Sequence, residues 1–302
     1  MKQLRRWLEP VLLLAVLFVP MTNAGAQTRT AGAEVMLSAL RAEESLKLGK
    51  RVYQRHCSGC HGLEGNGEGP AARWLDPKPR DFTLGTFKFR TTPSGFLPTD
   101  EDLLRTIREG VHGTSMPSWR LMPEVEQRAV IAYIKTFSDA WEDPANYAKP
   151  VLIPYPPEDL KSKARVRLGR TVYRAMGCKQ CHGETGGGDG PSSKNMTDDK
   201  GNPIRPANFH RGVLRGGRTP RDIYRTIVTG ISGTPMPGFT SLTEEQVWGL
   251  VAYVREIIKH RGDPDPDAFD PPCTLWNTCP PAEEANAGAT GDAEAQPQGD
   301  ER

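Results

Sequence analysis

Long apolar runs are almost absent from this sequence. Val11 to Val19 is one, cut off by Pro20, and no later segment approaches the roughly 20 apolar residues that a membrane-spanning helix needs. Aromatic residues are also sparse, at 7% of 302, whereas glycine (31) and proline (27) are plentiful. A chain of this length accommodates two domains of ordinary size, but this composition gives them thin apolar cores. A buried cofactor in each would supply the missing apolar volume. A charge excess of one sign is missing too: the formal net charge is +2, and basic residues are interleaved with acidic ones. That excludes a nucleic-acid-binding profile. Alternating strand patterns are not found either, so an all-α fold is expected.

The start has the form of a secretory signal. Lys2, Arg5 and Arg6 precede the apolar run, and Ala24-Gly25-Ala26 has the small-x-small pattern of a cleavage site. Residues 1–26 are therefore read as a signal peptide and the mature protein as exported to the periplasm. The alternative is an uncleaved anchor. If the signal is cleaved, membrane contact is expected only through partners.

Only six cysteines are present, and they fall into three pairs. Cys273 and Cys279 lie in a Pro-rich segment without an adjacent histidine, and in an oxidising compartment they read as a small disulfide loop. Residues 281–302 hold six acids against Arg302, so the 263–302 tail reads as solvated, with a docking role as its rival.

The other two pairs sit in an internal duplication. Leu48-Gly49, Val52-Tyr53, Arg105-Thr106-Ile107 and Ala132-Tyr133 recur 120 positions later as Leu168-Gly169, Val172-Tyr173, Arg225-Thr226-Ile227 and Ala252-Tyr253. Gly113-Thr114-Ser115-Met116-Pro117 recurs as Gly233-Thr234-Pro235-Met236-Pro237. The cysteine motifs, Cys57-Ser58-Gly59-Cys60-His61 and Cys178-Lys179-Gln180-Cys181-His182, are offset by 121, so the second copy has one extra residue before Cys178.

C-x-x-C-H is the attachment pattern of a c-type haem. Two cysteines three apart lie on one side of a helical turn, where each thiol can add to a haem vinyl group. The following histidine then lies beneath the iron. Zinc would need four ligands, and a thioredoxin-like CxxC would need a βαβ context. The cofactors expected are two covalently attached haems c. Cys57, Cys60, Cys178 and Cys181 are the attachment residues, and His61 and His182 the proximal ligands. Met116 and Met236 recur in matching Gly-Thr-x-Met-Pro loops and are the distal candidates. Met122, Met176 and Met196 have no counterpart, and His112 and His210, also unmatched, are the rival ligands. Trp119 and Phe239, three residues after each methionine, are expected beside the ligand loop. Short helices are expected before each methionine, over 102–109 and 221–228, ending at Gly110 and Gly230. Thr243 with Gln246 forms a capping box for a last helix.

Each copy resembles a class I cytochrome c domain, and the chain resembles a tandem dihaem cytochrome c. The resemblance covers residues 44–140 and 161–262, joined by a linker over 141–160. It implies two domains, each wrapped around one haem. It also implies that Gly49 and Tyr53 cross a last helix carrying Tyr133, with Gly169, Tyr173 and Tyr253 in the same places of the second copy. The family ties the proximal imidazole to a proline carbonyl, for which Pro70 and Pro191 are the candidates, and Arg80 and Arg205 are candidate propionate partners. His/Met ligation leaves no substrate site, so an electron carrier between a redox donor and acceptor protein is expected rather than an enzyme. The alternative is a dihaem enzyme, peroxidase-like or thiosulfate-oxidising.

Overall fold

The computed structural model describes residues 24–261. Residues 1–23 of the 1–26 segment expected to be a signal peptide, Cys273, Cys279 and the acidic tail lie outside the described residues. No described helix is long and apolar enough to cross a membrane. The fold is all-helical; the only β pairing among the described residues is one isolated bridge, Thr197 to Pro203. The chain divides after Glu44. Residues 24–44 are helical, and Glu34 and residues 36–44 are exposed.

The body from Ser45 onward holds two helical copies. Helix α1 (Ala24–His56) leads into the short α2 (Ser58–His61), followed by α3 (Asp100–Glu109) and α4 (Glu124–Lys135). The second copy repeats this as α5 (Lys163–Ala175), α6 (Cys178–His182), α7 (Pro220–Thr229) and α8 (Glu244–His260). Each copy has its own apolar core. The first is built on Val52, Tyr53, Leu104, Val130 and Ile131, the second on Val172, Tyr173, Trp248, Val251 and Ile257.

Each core depends on one close crossing. A Cβ at Gly49 would lie inside contact distance of the Ala129 carbonyl on α4, and one at Gly169 would strike the Gly249 carbonyl on α8. Only a residue without a Cβ lets the two backbones approach this closely. Beside the crossings, Tyr53 meets Tyr133 with ring centroids 5.5 Å apart, and Tyr173 meets Tyr253 at 5.3 Å. The family-based expectation for these six residues thus matches the packing.

Capping boxes fix the starts of α3, α7 and α8, from Thr99 with Asp102, Thr219 with Asp222, and Thr243 with Gln246. Gly110 and Gly230, at φ 67° and 68°, end α3 and α7 and turn the chain into the methionine loops.

Residues 141–160 are a strap held at both ends. Leu97 N–H donates to the Asn146 carbonyl (2.9 Å) and Val151 N–H to the Thr91 carbonyl (2.8 Å) in the first copy. Further along, Arg221 donates to the Ile153 carbonyl, and Leu160 is buried in the second core. The copies also meet directly. Arg90, 1% exposed, donates from both Nη atoms to the Thr229 carbonyl at the end of α7, at 3.0 and 2.9 Å.

Candidate functional site

In the first copy, α1 ends at His56 and the chain turns at once into the cysteine motif. Cys60 and His61 N–H groups donate to the Cys57 carbonyl at 3.1 and 2.9 Å, so both thiols sit on a single turn. The buried Tyr53 hydroxyl donates to the Gly62 carbonyl at 2.7 Å and pins the exit of that turn to α1. Tyr173 does the same to Gly183 at 2.6 Å. Replacing Tyr53 with phenylalanine removes one buried donor and leaves a carbonyl unsatisfied. The expected cost is about 1–3 kcal/mol, read as a lower unfolding midpoint in urea.

The extra residue of the second copy appears as a left-handed turn. Helix α5 stops at Ala175, and Gly177 at φ 73° caps α6. A side chain there would be strained, and the glycine restores the motif's direction after the insertion. The chain paths leading into the two cysteine motifs differ only locally.

Burial pushes the Cys57 thiol up to about 12 and the Cys178 thiol up to about 11. A redox-active CxxC has the opposite bias, a first thiol lowered toward the thiolate. Burial also lowers His61 and His182 below the ordinary imidazole range, keeping both rings neutral. Nδ1 of His61 lies 2.9 Å from the Arg80 carbonyl, and Nδ1 of His182 lies 3.1 Å from the Ala207 carbonyl. A carbonyl only accepts, so Nδ1 carries the proton and Nε2 keeps its lone pair. That is the tautomer a metal-ligating histidine needs, and the bond fixes the ring.

These acceptors correct the expectation of Pro70 and Pro191, both of which are exposed. The residues before them, Gly69 and Gly190, pack on carbonyls of the cysteine turns, which directs the prolines elsewhere. The acceptors instead follow Pro79 and Pro206. Phe82 N–H donates to the Gly65 carbonyl (2.7 Å) and Phe209 N–H to the Gly186 carbonyl (2.8 Å), drawing these later segments over the imidazoles. Phe82 stacks on His61 at 4.6 Å and Phe209 on His182 at 4.7 Å.

The methionine loops are built alike. Val111 N–H donates to the Met116 carbonyl and Ile231 N–H to the Met236 carbonyl, both at 3.1 Å. Thr114 and Thr234 hydroxyls accept from the methionine N–H groups. Trp119 and Phe239 N–H groups donate back to Ile107 and Ile227, each at 3.0 Å.

In the first copy the structure brings the expected residues to a single cavity. Cys57, Cys60, His61 and Met116 line it, with apolar walls that include Phe82, Leu103, Ile107 and Trp119. This fits a haem: two thiols, a neutral imidazole and a thioether around a mostly apolar space. His112 is exposed and is not among the lining residues, and His210 donates from Nε2 to the Thr185 carbonyl at 2.7 Å. Of the two arginines considered, Arg80 lines the cavity and Arg205 is exposed. Sequence reasoning missed His56, Phe87, Lys88, Phe89 and Arg215, which also line it. Among the described residues no group of three or more His, Cys, Asp and Glu side chains could hold a metal ion by itself.

Residues 166–257 match the family model described as cytochrome c. Residues 44–134 match that of the cbb3-type cytochrome c oxidase, subunit III. Among solved structures, a chain of the reducing HAO-like protein complex of Kuenenia stuttgartiensis is 42% identical, with a TM-score of 0.66. The match covers 70% of the present chain and 96% of that one. No curated protein matches.

Proposed function

The chain belongs to the cytochrome c family, with two such domains in tandem, and from that premise we propose that it is an exported single-electron carrier with two His/Met-ligated haems. The observation that carries this reading is the cavity of the first copy, where both cysteines, His61 and Met116 meet. His182 and Met236 occupy equivalent backbone settings in the second copy. When bound, each haem supplies a one-electron change at iron.

The chain's own residues set the conditions for that change. Cys57 and Cys60, with Cys178 and Cys181, tether the two groups. The Arg80 and Ala207 carbonyls hold each imidazole in one orientation and raise its basicity. The methionine thioethers favour the reduced state and raise the potential. Phe82 and Trp119 help keep water from the first site. A strap anchored on both copies and the buried Arg90 keep the two centres in one body. The partners would be a donor and an acceptor protein in the periplasm. The similar chain from a protein complex favours a role as a subunit or partner of an oxidoreductase.

A potentiometric titration of the full-length protein, followed in the visible and near-infrared, tests this. Two one-electron steps with methionine-type spectra are expected. Uptake of only one electron per chain, or spectra without methionine ligation, would refute it. In the same assay Met116→Ala should lower one midpoint, leave the other in place, and let one reduced haem bind carbon monoxide.

A further inference from the structure

The two methionine loops carry glycine at the same place, Gly113 and Gly233, three residues before each methionine. Both have a positive φ, 70° and 73°, and leave room where a side chain would otherwise stand. In each loop a group from the other copy reaches that room. A Cβ at Gly113 would meet the exposed Val213 of the second copy, an aliphatic contact. A Cβ at Gly233 would meet the carboxylate of Asp199 and an Nη of Arg80, and Arg80 belongs to the first copy. The loops match in their internal hydrogen bonds but are covered by different chemistry.

The cover on Gly233 is an ion pair. Arg80 donates from one Nη to Asp199 at 2.6 Å, with the two side chains 12% and 22% exposed. Asp199 in turn donates its N–H to the Gly233 carbonyl at 3.1 Å, so pair and loop are joined by a hydrogen bond as well as by contact. The other Nη of Arg80, buried and without an acceptor, lies against Gly233, where a residue lacking a side chain leaves space. Arg80 is itself placed by the first centre, since its carbonyl accepts from His61. At the start of the same loop Arg90, also from the first copy, donates from both Nη atoms to the Thr229 carbonyl, just before Gly230 ends α7. The stretch from Thr229 to Met236 is therefore gripped from the first copy at two points.

We propose that Arg80 of the first copy, paired with Asp199, is a positioning residue for the second haem: the pair fixes the loop that presents Met236. This rests on the reading of Met236 as that haem's distal ligand. A thioether is a neutral, weakly held ligand, so its hold on iron depends on how little its loop can move away. To open, this loop must break the Asp199 N–H bond to Gly233 or draw Asp199 away from Arg80. Both partners of the ion pair are largely buried, where a charge-assisted hydrogen bond is strong and losing one partner is costly. The distal ligation of the second haem is then a property of both copies. The arginine that orients His61 with its carbonyl steadies the Met236 loop with its guanidinium.

The probe is imidazole, which binds ferric haem in place of a methionine. Its affinity at each haem of the full-length, oxidised holoprotein is read from loss of the methionine-type near-infrared band. Met116→Ala and Met236→Ala assign each transition to its haem. Arg80→Gln and Asp199→Ala should each raise the second haem's affinity about tenfold and leave the first within about twofold. Arg80→Lys, which can still pair with Asp199, should keep most of the native resistance. Because the two residues act as one unit, the double variant should be no looser than either single one. An unchanged second haem in both single variants, equal rises at both haems, or additive effects in the double variant would overturn the proposal. A second-haem spectrum unaltered by Met236→Ala would instead refute the ligand assignment on which the proposal rests.

Discussion

A protein with both Cys57 and Cys60 replaced by alanine is expected to carry one haem, and the unmutated protein two. It should also lose the stability of its first core while keeping the spectrum of its second. The cores are separate, built on different helices. What the copies share is a strap, packing at a seam where Val213 meets the Gly113 turn and Phe89 meets Gly216, and polar contacts such as Arg90 on Thr229 and Lys200 of the second copy on Asp81, at 2.9 Å. The first core depends on its cofactor, because Phe82, Leu103, Ile107, Val130 and Ile134 all line the cavity. Emptied, that cavity exposes or collapses part of the core it belongs to. A ligand held at 1,000 times its Kd adds about 4 kcal/mol to stability, and a covalent tether exceeds that effective concentration. The haem-to-protein ratio, read with a thermal melt, checks both halves of the expectation. Two haems retained, or none, would contradict it.

The second large effect is expected from Gly169→Val. The α5 backbone lies against the Gly249 carbonyl on α8, and a Cβ at residue 169 would also press on the Cβ of Tyr253. Valine adds three carbons where one does not fit. The helices must separate, and the Tyr173–Tyr253 contact at 5.3 Å separates with them. Overpacking a core costs about 1–3 kcal/mol and occasionally more, and the upper end applies where backbone rather than side chain is in the way. At about 2–4 °C per kcal/mol for a body of this size, a loss of roughly 6–12 °C in Tm is expected. Gly49→Val should act likewise on the first copy through Ala129. A melt unchanged by either substitution would mean that neither crossing is tight enough to require glycine.

The candidate sites were legible in the sequence because their motifs are local. C-x-x-C-H occupies one helical turn, and the Gly-Thr-x-Met-Pro loops recur by duplication, so both could be read without knowing the fold. Helix ends were partly legible. Thr243 with Gln246 stands out as a capping box, whereas Thr99 with Asp102 and Thr219 with Asp222 use aspartate in the third position and escape the usual pattern. The histidine acceptors were misplaced because the register of a long loop is set at a distance. The Phe82–Gly65 and Phe209–Gly186 hydrogen bonds, not the spacing from the histidine, decide which carbonyl arrives over the ring. The contacts between copies were not legible at all. Arg90 reaches a carbonyl 139 residues away, and Arg80 a carboxylate 119 residues away. Nothing in the local pattern around either arginine points to a partner in the other copy.

Addition of carbon monoxide to the fully reduced, full-length protein at neutral pH tests the central assignment most directly. If Met116 and Met236 hold the distal positions, neither haem spectrum changes, while Met116→Ala and Met236→Ala each open one site. Prompt formation of a carbon monoxide complex in the unmutated protein would show an open iron and contradict His/Met ligation.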